Sequence, residues 1–150
     1  MKGIENIKRS AIGLGACNKV DSVNSIGDAL ALLMTPQGRE FALKTGFPTL
    51  EIWRKNPYEV DRSEMVLLDM GLDNYSENED YIVVGDTFLE ATFDRPDKLY
   101  HIIAMHGAEV EIKASDYAVV TVTNINSTVR ISNDGTAIVT VEQTEKGGSR

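Results

Sequence analysis

The sequence holds one cysteine, two histidines and no apolar run approaching the length that crosses a bilayer. A spanning helix needs about 20 consecutive apolar residues, so no membrane association is expected and the protein should be soluble. The lone Cys17 excludes an internal disulfide and fits a reducing compartment. Leu14-Gly15-Ala16-Cys17 has the outline of a lipoprotein cleavage site. The preceding apolar stretch is too short for a signal segment and is broken by Gly13 and Gly15. No basic or histidine partner for Cys17 can be read from the sequence, which makes it structural rather than nucleophilic.

His101 and His106 stand apart from any cysteine or clustered carboxylate at metal-ligand spacing. A glycine loop with a following lysine is also missing, and Gly13-Leu14-Gly15 alone does not make a nucleotide site. Asp86 and Asp94 give no sign of converging into an acid–base pair. The expectation is therefore no enzyme, no metal and no cofactor.

Basic residues are the other scarcity: 15 Lys and Arg face 23 Asp and Glu, for a net charge of −8. The imbalance is local. Residues 61–100 carry three basic and eleven acidic side chains, while residues 1–60 are slightly basic. Direct nucleic-acid binding needs a basic face to displace counterions and is not expected. The acidic segment leaves open a basic protein partner, with a solvated surface as the plainer reading. Asp73-Asn74-Tyr75-Ser76-Glu77-Asn78-Glu79-Asp80 lacks the ligand order and central glycine of a helix-loop-helix calcium site.

What is present is a repeat. Val110–Val122 aligns without a gap on Val129–Val141 at a spacing of 19 residues. Ala118-Val119-Val120-Thr121-Val122 then stands over Ala137-Ile138-Val139-Thr140-Val141. The same spacing puts Ala91-Thr92-Phe93 in column with Val110-Glu111-Ile112, and His101 in the interior column of Val120 and Val139. Within each copy apolar residues alternate with charges or threonines, the period of a strand. Turn formers such as Ala114-Ser115-Asp116, Asn124–Ser127 and Asn133-Asp134-Gly135 separate the strands. A fixed period near 20 rich in Val, Ile and Thr predicts stacked β coils.

The fold class is thus α+β: an N-terminal helical cap, then a short β-solenoid with a 19-residue repeat. The alternative is an antiparallel β-meander forming a sandwich or barrel, which explains strand spacing but not why every second strand looks alike. The expected organisation is a helical cap over 1–60, a strand and acidic linker over 61–80, β-repeats over 81–143 and a frayed tail over 144–150. In the cap, helices are expected over 3–13, Ile26–Met34, from Pro36 to about Lys44, and Leu50–Arg54. Ser25 with Asp28 is the expected capping pair of the second, and Phe41, Phe47 and Trp53 are core candidates. Thr35-Pro36 is a cap followed by a first-turn proline, and Gly46 is a stop. Gly38 inside that helix costs about 1 kcal/mol relative to alanine.

Two further stretches carry a resemblance. They are Thr35-Pro36-Gln37-Gly38-Arg39-Glu40-Phe41 with Phe47-Pro48 and Trp53, then Met105-His106-Gly107-Ala108-Glu109-Val110 with Ala114–Val120. They resemble uncharacterised small phage and mobile-element proteins of gut anaerobes. The resemblance implies a phage or prophage origin and supplies no residue roles.

The first functional expectation is a non-enzymatic structural or protein-interaction module, as a virion or assembly component. It would bind a protein partner or itself, a trimer being the guess, with Glu111, Thr121, Arg130 and Thr140 facing outward. The alternative is a small acidic inhibitor of a host defence protein acting through Glu77, Glu79 and Asp80. Last comes a metal-dependent or carbohydrate-active enzyme using His101 or His106. The expected location is the cytoplasm of a bacterial host, or the virion.

Overall fold

Thr35, with its extended backbone, opens a helix as a capping threonine should: its hydroxyl oxygen accepts a hydrogen bond from the Gly38 amide at 3.0 Å. The structure, a computed structural model, describes residues 8–9, 26–55, 66–75 and 79–143. The chain forms two compact units, Met1–Ser63 and Glu64–Arg150. Among the described residues the first unit holds, besides the helical Lys8 and Arg9, α1 (Ile26–Leu33), α2 (Pro36–Thr45) and α3 (Leu50–Arg54). Gly46 ends α2 in the left-handed region at φ 76°, donating its amide to Ala42 at 2.7 Å. Thr49 caps α3 through the Ile52 amide at 3.2 Å, a role the sequence reading left to a turn. Of the helix expected over 3–13 only Lys8 and Arg9 are described, and both are helical. Ser25 and Cys17 lie outside the described residues.

Gly38 has a packing reason. A Cβ there would run into the Leu32 carbonyl oxygen and lie 2.8 Å from the Leu33 Cα, so the absence of a side chain lets α2 fold back onto α1. Phe47 packs with Phe41 at 5.9 Å between ring centroids, and with Leu32 and Ile52. Trp53 is buried on α3.

The described residues of the second unit form nine strands: β1 (Val66–Leu68), β2 (Gly71–Tyr75), β3 (Asp80–Val84), β4 (Phe88–Phe93), β5 (Leu99–Met105), β6 (Glu109–Ala114), β7 (Val119–Ile125), β8 (Thr128–Asn133) and β9 (Ile138–Gln143). Odd strands form one sheet in the order β1-β3-β5-β7-β9, and even strands the other in the order β2-β4-β6-β8. Every pairing is parallel. Hairpins would make them antiparallel, so the meander is excluded and the fold is a β-solenoid of four coils and one further strand.

The first coil begins earlier than Tyr81. β1 and β2 already stack on β3 and β4, with Leu67 beside Val83 and Leu72 beside Leu89. The segment expected as a strand and an acidic linker therefore holds a second strand as well, and Asp73-Asn74-Tyr75 lies in β2. The period also drifts. Partners are 21 residues apart between β3 and β5 (Asp80 and His101), 20 between β5 and β7 (Leu99 and Val119), and 19 between β7 and β9 (Val119 and Ile138). Corner length is the cause. The turn Asp94–Lys98 is one residue longer than its counterparts 115–118 and 134–137. The corner 106–108 is likewise one longer than 126–127.

Two expected columns are corrected by that drift. Leu89-Glu90-Ala91, not Ala91-Thr92-Phe93, lies beside Val110-Glu111-Ile112. His101 lies beside Thr121, not in the column of Val120, because a shift of one residue moves a side chain to the other face of a sheet.

Between the sheets runs the core. Tyr81, Ile102 and Val122 form one ladder, Leu89 and Val110 another, and Ala91 and Ile112 a third, all at most 1% exposed. Phe93 stacks on Tyr100 at 4.3 Å and meets Tyr81 at 5.8 Å, filling the interior beside the long turn. Small Ala114 beside Phe93 leaves room for that cluster. Burial pushes the Tyr100 phenol up from its usual range.

The corners leaving the odd-strand sheet share one device. Asp69, Gly85, His106 and Asn126 follow the mutually registered Leu68, Val84, Met105 and Ile125, and all four have positive φ, from 53° to 76°. Asp, Asn, His and Gly are the residues that tolerate this region best.

Candidate functional site

The outer face of the odd-strand sheet is banded across the strands. At the start of the strands Leu99, Val119 and Ile138 lie side by side. Leu99 and Ile138 are each 62% exposed, and Tyr117, two residues before Val119, is 68% exposed. The next row is polar: Asp80, His101, Thr121 and Thr140 are neighbours in register. His101 Nδ1 lies 3.3 Å from Asp80 Oδ1. Beyond it Ile82, Ile103 and Thr123 are fully buried, as are Val84, Met105 and Ile125 in the row after. Solvated antiparallel sheets alternate polar-out, and lone surface hydrophobes are ordinary. A continuous apolar row with an adjoining exposed tyrosine is a patch.

Tyr117 is held out by the backbone. Asp116 and Tyr117 have φ of 53° and 65°, and the Tyr117 amide donates to Thr136 Oγ1 in the next coil at 3.1 Å. Thr136 in turn binds Asp134, through its hydroxyl at 2.6 Å and its amide at 2.9 Å. These two donors hold the Asp134 carboxyl below the usual carboxylate range. The corner is a relay of short polar contacts that presents an aromatic ring to solvent.

On the even-strand sheet the outer face is charged. Glu90, Glu111 and Arg130 are neighbours in register. Lys113 pairs with Glu90 at 2.8 Å and Arg130 with Glu111 at 3.5 Å. A hydrogen bond from the Lys113 ammonium to Glu90 raises the lysine above its ordinary value.

The residues singled out from the sequence therefore divide. Glu111 and Arg130 meet on one sheet, while Thr121 and Thr140 are neighbours on the other, with the solenoid interior between the pairs. Glu79 lies beside the long turn, where its carboxylate accepts a 2.6 Å hydrogen bond from Lys98. Asp80 faces His101. Glu77 lies outside the described residues. His106 serves a corner, its amide donating to Ile125 at 3.0 Å. It stands about 16 Å along the chain from His101 at strand rise. Among the described residues no group of three or more His, Cys, Asp or Glu is placed to hold a metal ion. No helix among them is long and apolar enough to cross a membrane.

The sequence analysis gave Leu99, Val119 and Ile138 no role of their own within their strands. The signal was available in parity. Val120 and Val139 face inward, so their immediate predecessors face outward.

The chain matches no known protein family, no curated protein and no solved structure.

Proposed function

We propose that this chain is a non-enzymatic protein-interaction module that uses the outer face of its odd-strand sheet. The observation that supports this reading is the apolar row Leu99, Val119 and Ile138 with Tyr117 beside it, in which Leu99, Ile138 and Tyr117 are exposed. A tyrosine on a hydrogen-bonded scaffold loses little entropy on binding, and aromatic anchors dominate interface energetics. The partner is a protein carrying an apolar strip. In a phage context, which the sequence resemblance suggests, the role is a particle or assembly component working in the virion or in the host cytoplasm. In the alternative reading, an acidic inhibitor of a host protein, Glu79 and Asp80 would act from pairs with Lys98 and His101.

The test compares native capture from the source cells by the wild type and by a Leu99→Glu, Tyr117→Ser double variant with an unchanged circular dichroism spectrum. A protein recovered by the first and lost by the second is the expected outcome. Identical recoveries would remove this face from consideration.

A further inference from the structure

The coil β8–β9 differs from those before it in one respect: its inward-facing residues are not enclosed. Ile131 is 40% exposed where its neighbour Ile112 is 1%, and Val141 is 38% exposed where Val122 is 0%. Val129 and Val139 are only partly buried. Among the described residues β8 and β9 are also the last strands of their sheets, each with one edge that no other described strand pairs. Unpaired edges with apolar side chains are a template for further strand pairing.

We infer that this terminal coil is the contact surface of a two-fold, end-to-end homodimer, in which β8 and β9 of one copy meet the same coil of a second copy. Three observations select a second copy. First, the surface repeats the cross-section that each coil presents to the next, so the object that fits it is another β coil of matching width.

Second, charge permits it. Most of the net −8 arises from residues 61–100, whereas β8 and β9 carry only Arg130 and Glu142. Both are engaged on the preceding coil, Arg130 with Glu111 at 3.5 Å and Glu142 with Thr123 at 3.1 Å. Copies that repel elsewhere can approach here.

Third, the opposite end is not equivalent. Val66 and Leu67 of β1 are each 6% exposed, so a head-to-tail contact would set the open terminal coil against an enclosed strand. What remains is an isologous contact, which closes at two copies and does not grow into fibres. Around a two-fold the facing strands run antiparallel. Centring the pairing on Thr140 brings Val139 opposite Val141 of the second copy and keeps both inward.

The size of the surface sets the strength. Two six-residue strands about 20 Å long, in sheets about 10 Å apart, give a footprint at the low end of specific interfaces. The dimer is therefore concentration-dependent. It uses other residues than the partner-binding face, so either idea can fail alone.

The experiment is sedimentation equilibrium of the full chain from micromolar to millimolar concentration. Wild type is compared with Val141→Lys, Ile131→Lys and Thr140→Lys. The first two positions are open enough in the single chain for a lysine to reach solvent, and Thr140 leaves the interior untouched. Circular dichroism and thermal unfolding check that each variant is folded. The expected result is wild-type mass rising from one chain to two, with the dissociation constant weakened on the order of tenfold or more in each lysine variant. The Leu99→Glu, Tyr117→Ser variant dimerises like wild type. A wild type that stays monomeric at millimolar concentration overturns the inference, as do lysine variants that dimerise normally. Mass growth past two chains, or dimerisation lost only in the Leu99 and Tyr117 variant, overturns it equally.

Discussion

Ile112 and Ile131 are the same residue in the same column, one coil apart, yet one is 1% exposed and the other 40%. Their local sequences, Val110-Glu111-Ile112 and Val129-Arg130-Ile131, share the same alternation. The difference comes from neighbours. An inner coil has coils on both sides, whereas the terminal one is covered on one side. In a solenoid, burial is assigned by position in the stack, because each coil contacts only its neighbours.

The sharpest way to break this comparison is to truncate both residues. Ile112→Ala should lose about 2–5 kcal/mol of unfolding free energy, the range for a cavity in a close-packed core. Ile131→Ala should lose about 1 kcal/mol or less, since that side chain is already partly in water. Urea titrations of the two variants would measure both, and equal losses would mean that the terminal coil is enclosed in solution.

Hydrogen exchange reads the same contrast without mutation. Amides of β5, β6 and β7 should open only with global unfolding, while those of β9 exchange faster by orders of magnitude through local fraying. Uniform protection across β5, β7 and β9 would refute a graded stack.

A smaller effect separates corners that suit their residues from one that does not. Asn126 tolerates positive φ, but Tyr117 at φ 65° does so against its preference. Tyr117→Gly should gain about 0.5–1 kcal/mol, whereas Asn126→Gly should change little. Thermal melts of the pair decide it; a destabilised Tyr117→Gly would show that the ring packs on its own coil.

The smallest expected effect concerns pH. The Asp134 carboxyl is held below its ordinary range by Thr136, so its contribution favours the fold above the unfolded carboxylate range. That contribution fades as pH falls through the lower folded value. Thr136→Val should therefore lower the melting temperature near neutrality, with the gap narrowing in strong acid to what the lost Tyr117 amide contact leaves. A gap that persists unchanged into strong acid would assign the effect to packing instead.

Much of the architecture was legible. Thr35-Pro36 and Gly46 bracket α2 as their backbone preferences require, and Val110–Val122 over Val129–Val141 gives the true register of the last coils. Legibility failed where corners change length. The extra residue in the corner 106–108 misplaced His101, and together with the extra residue in Asp94–Lys98 it misplaced the Ala91-Thr92-Phe93 column. The first coil was hidden because Asp73 and Asn74 look like loop residues, and they fall where the β2–β4 register shifts between the paired Leu72 and Tyr75. Gly38 shows the same limit: sequence sees only a poor helix former, and the Leu32 carbonyl that demands it becomes visible once α1 and α2 are packed.

What the sequence determined by itself is local and periodic. Alternation makes strands, turn formers make corners, caps start and stop helices, and identity at a fixed spacing makes coils stack in parallel. What only the tertiary structure decided is which side chains end up in the same place. It put Leu99, Val119 and Ile138 into one exposed row, set Thr121 and Thr140 on a different sheet from Glu111 and Arg130, and left Ile131 and Val141 open. The physical reason is that alternation states which side of a strand a residue faces. Whether that side meets another coil, another sheet or water depends on neighbours brought from elsewhere in the chain.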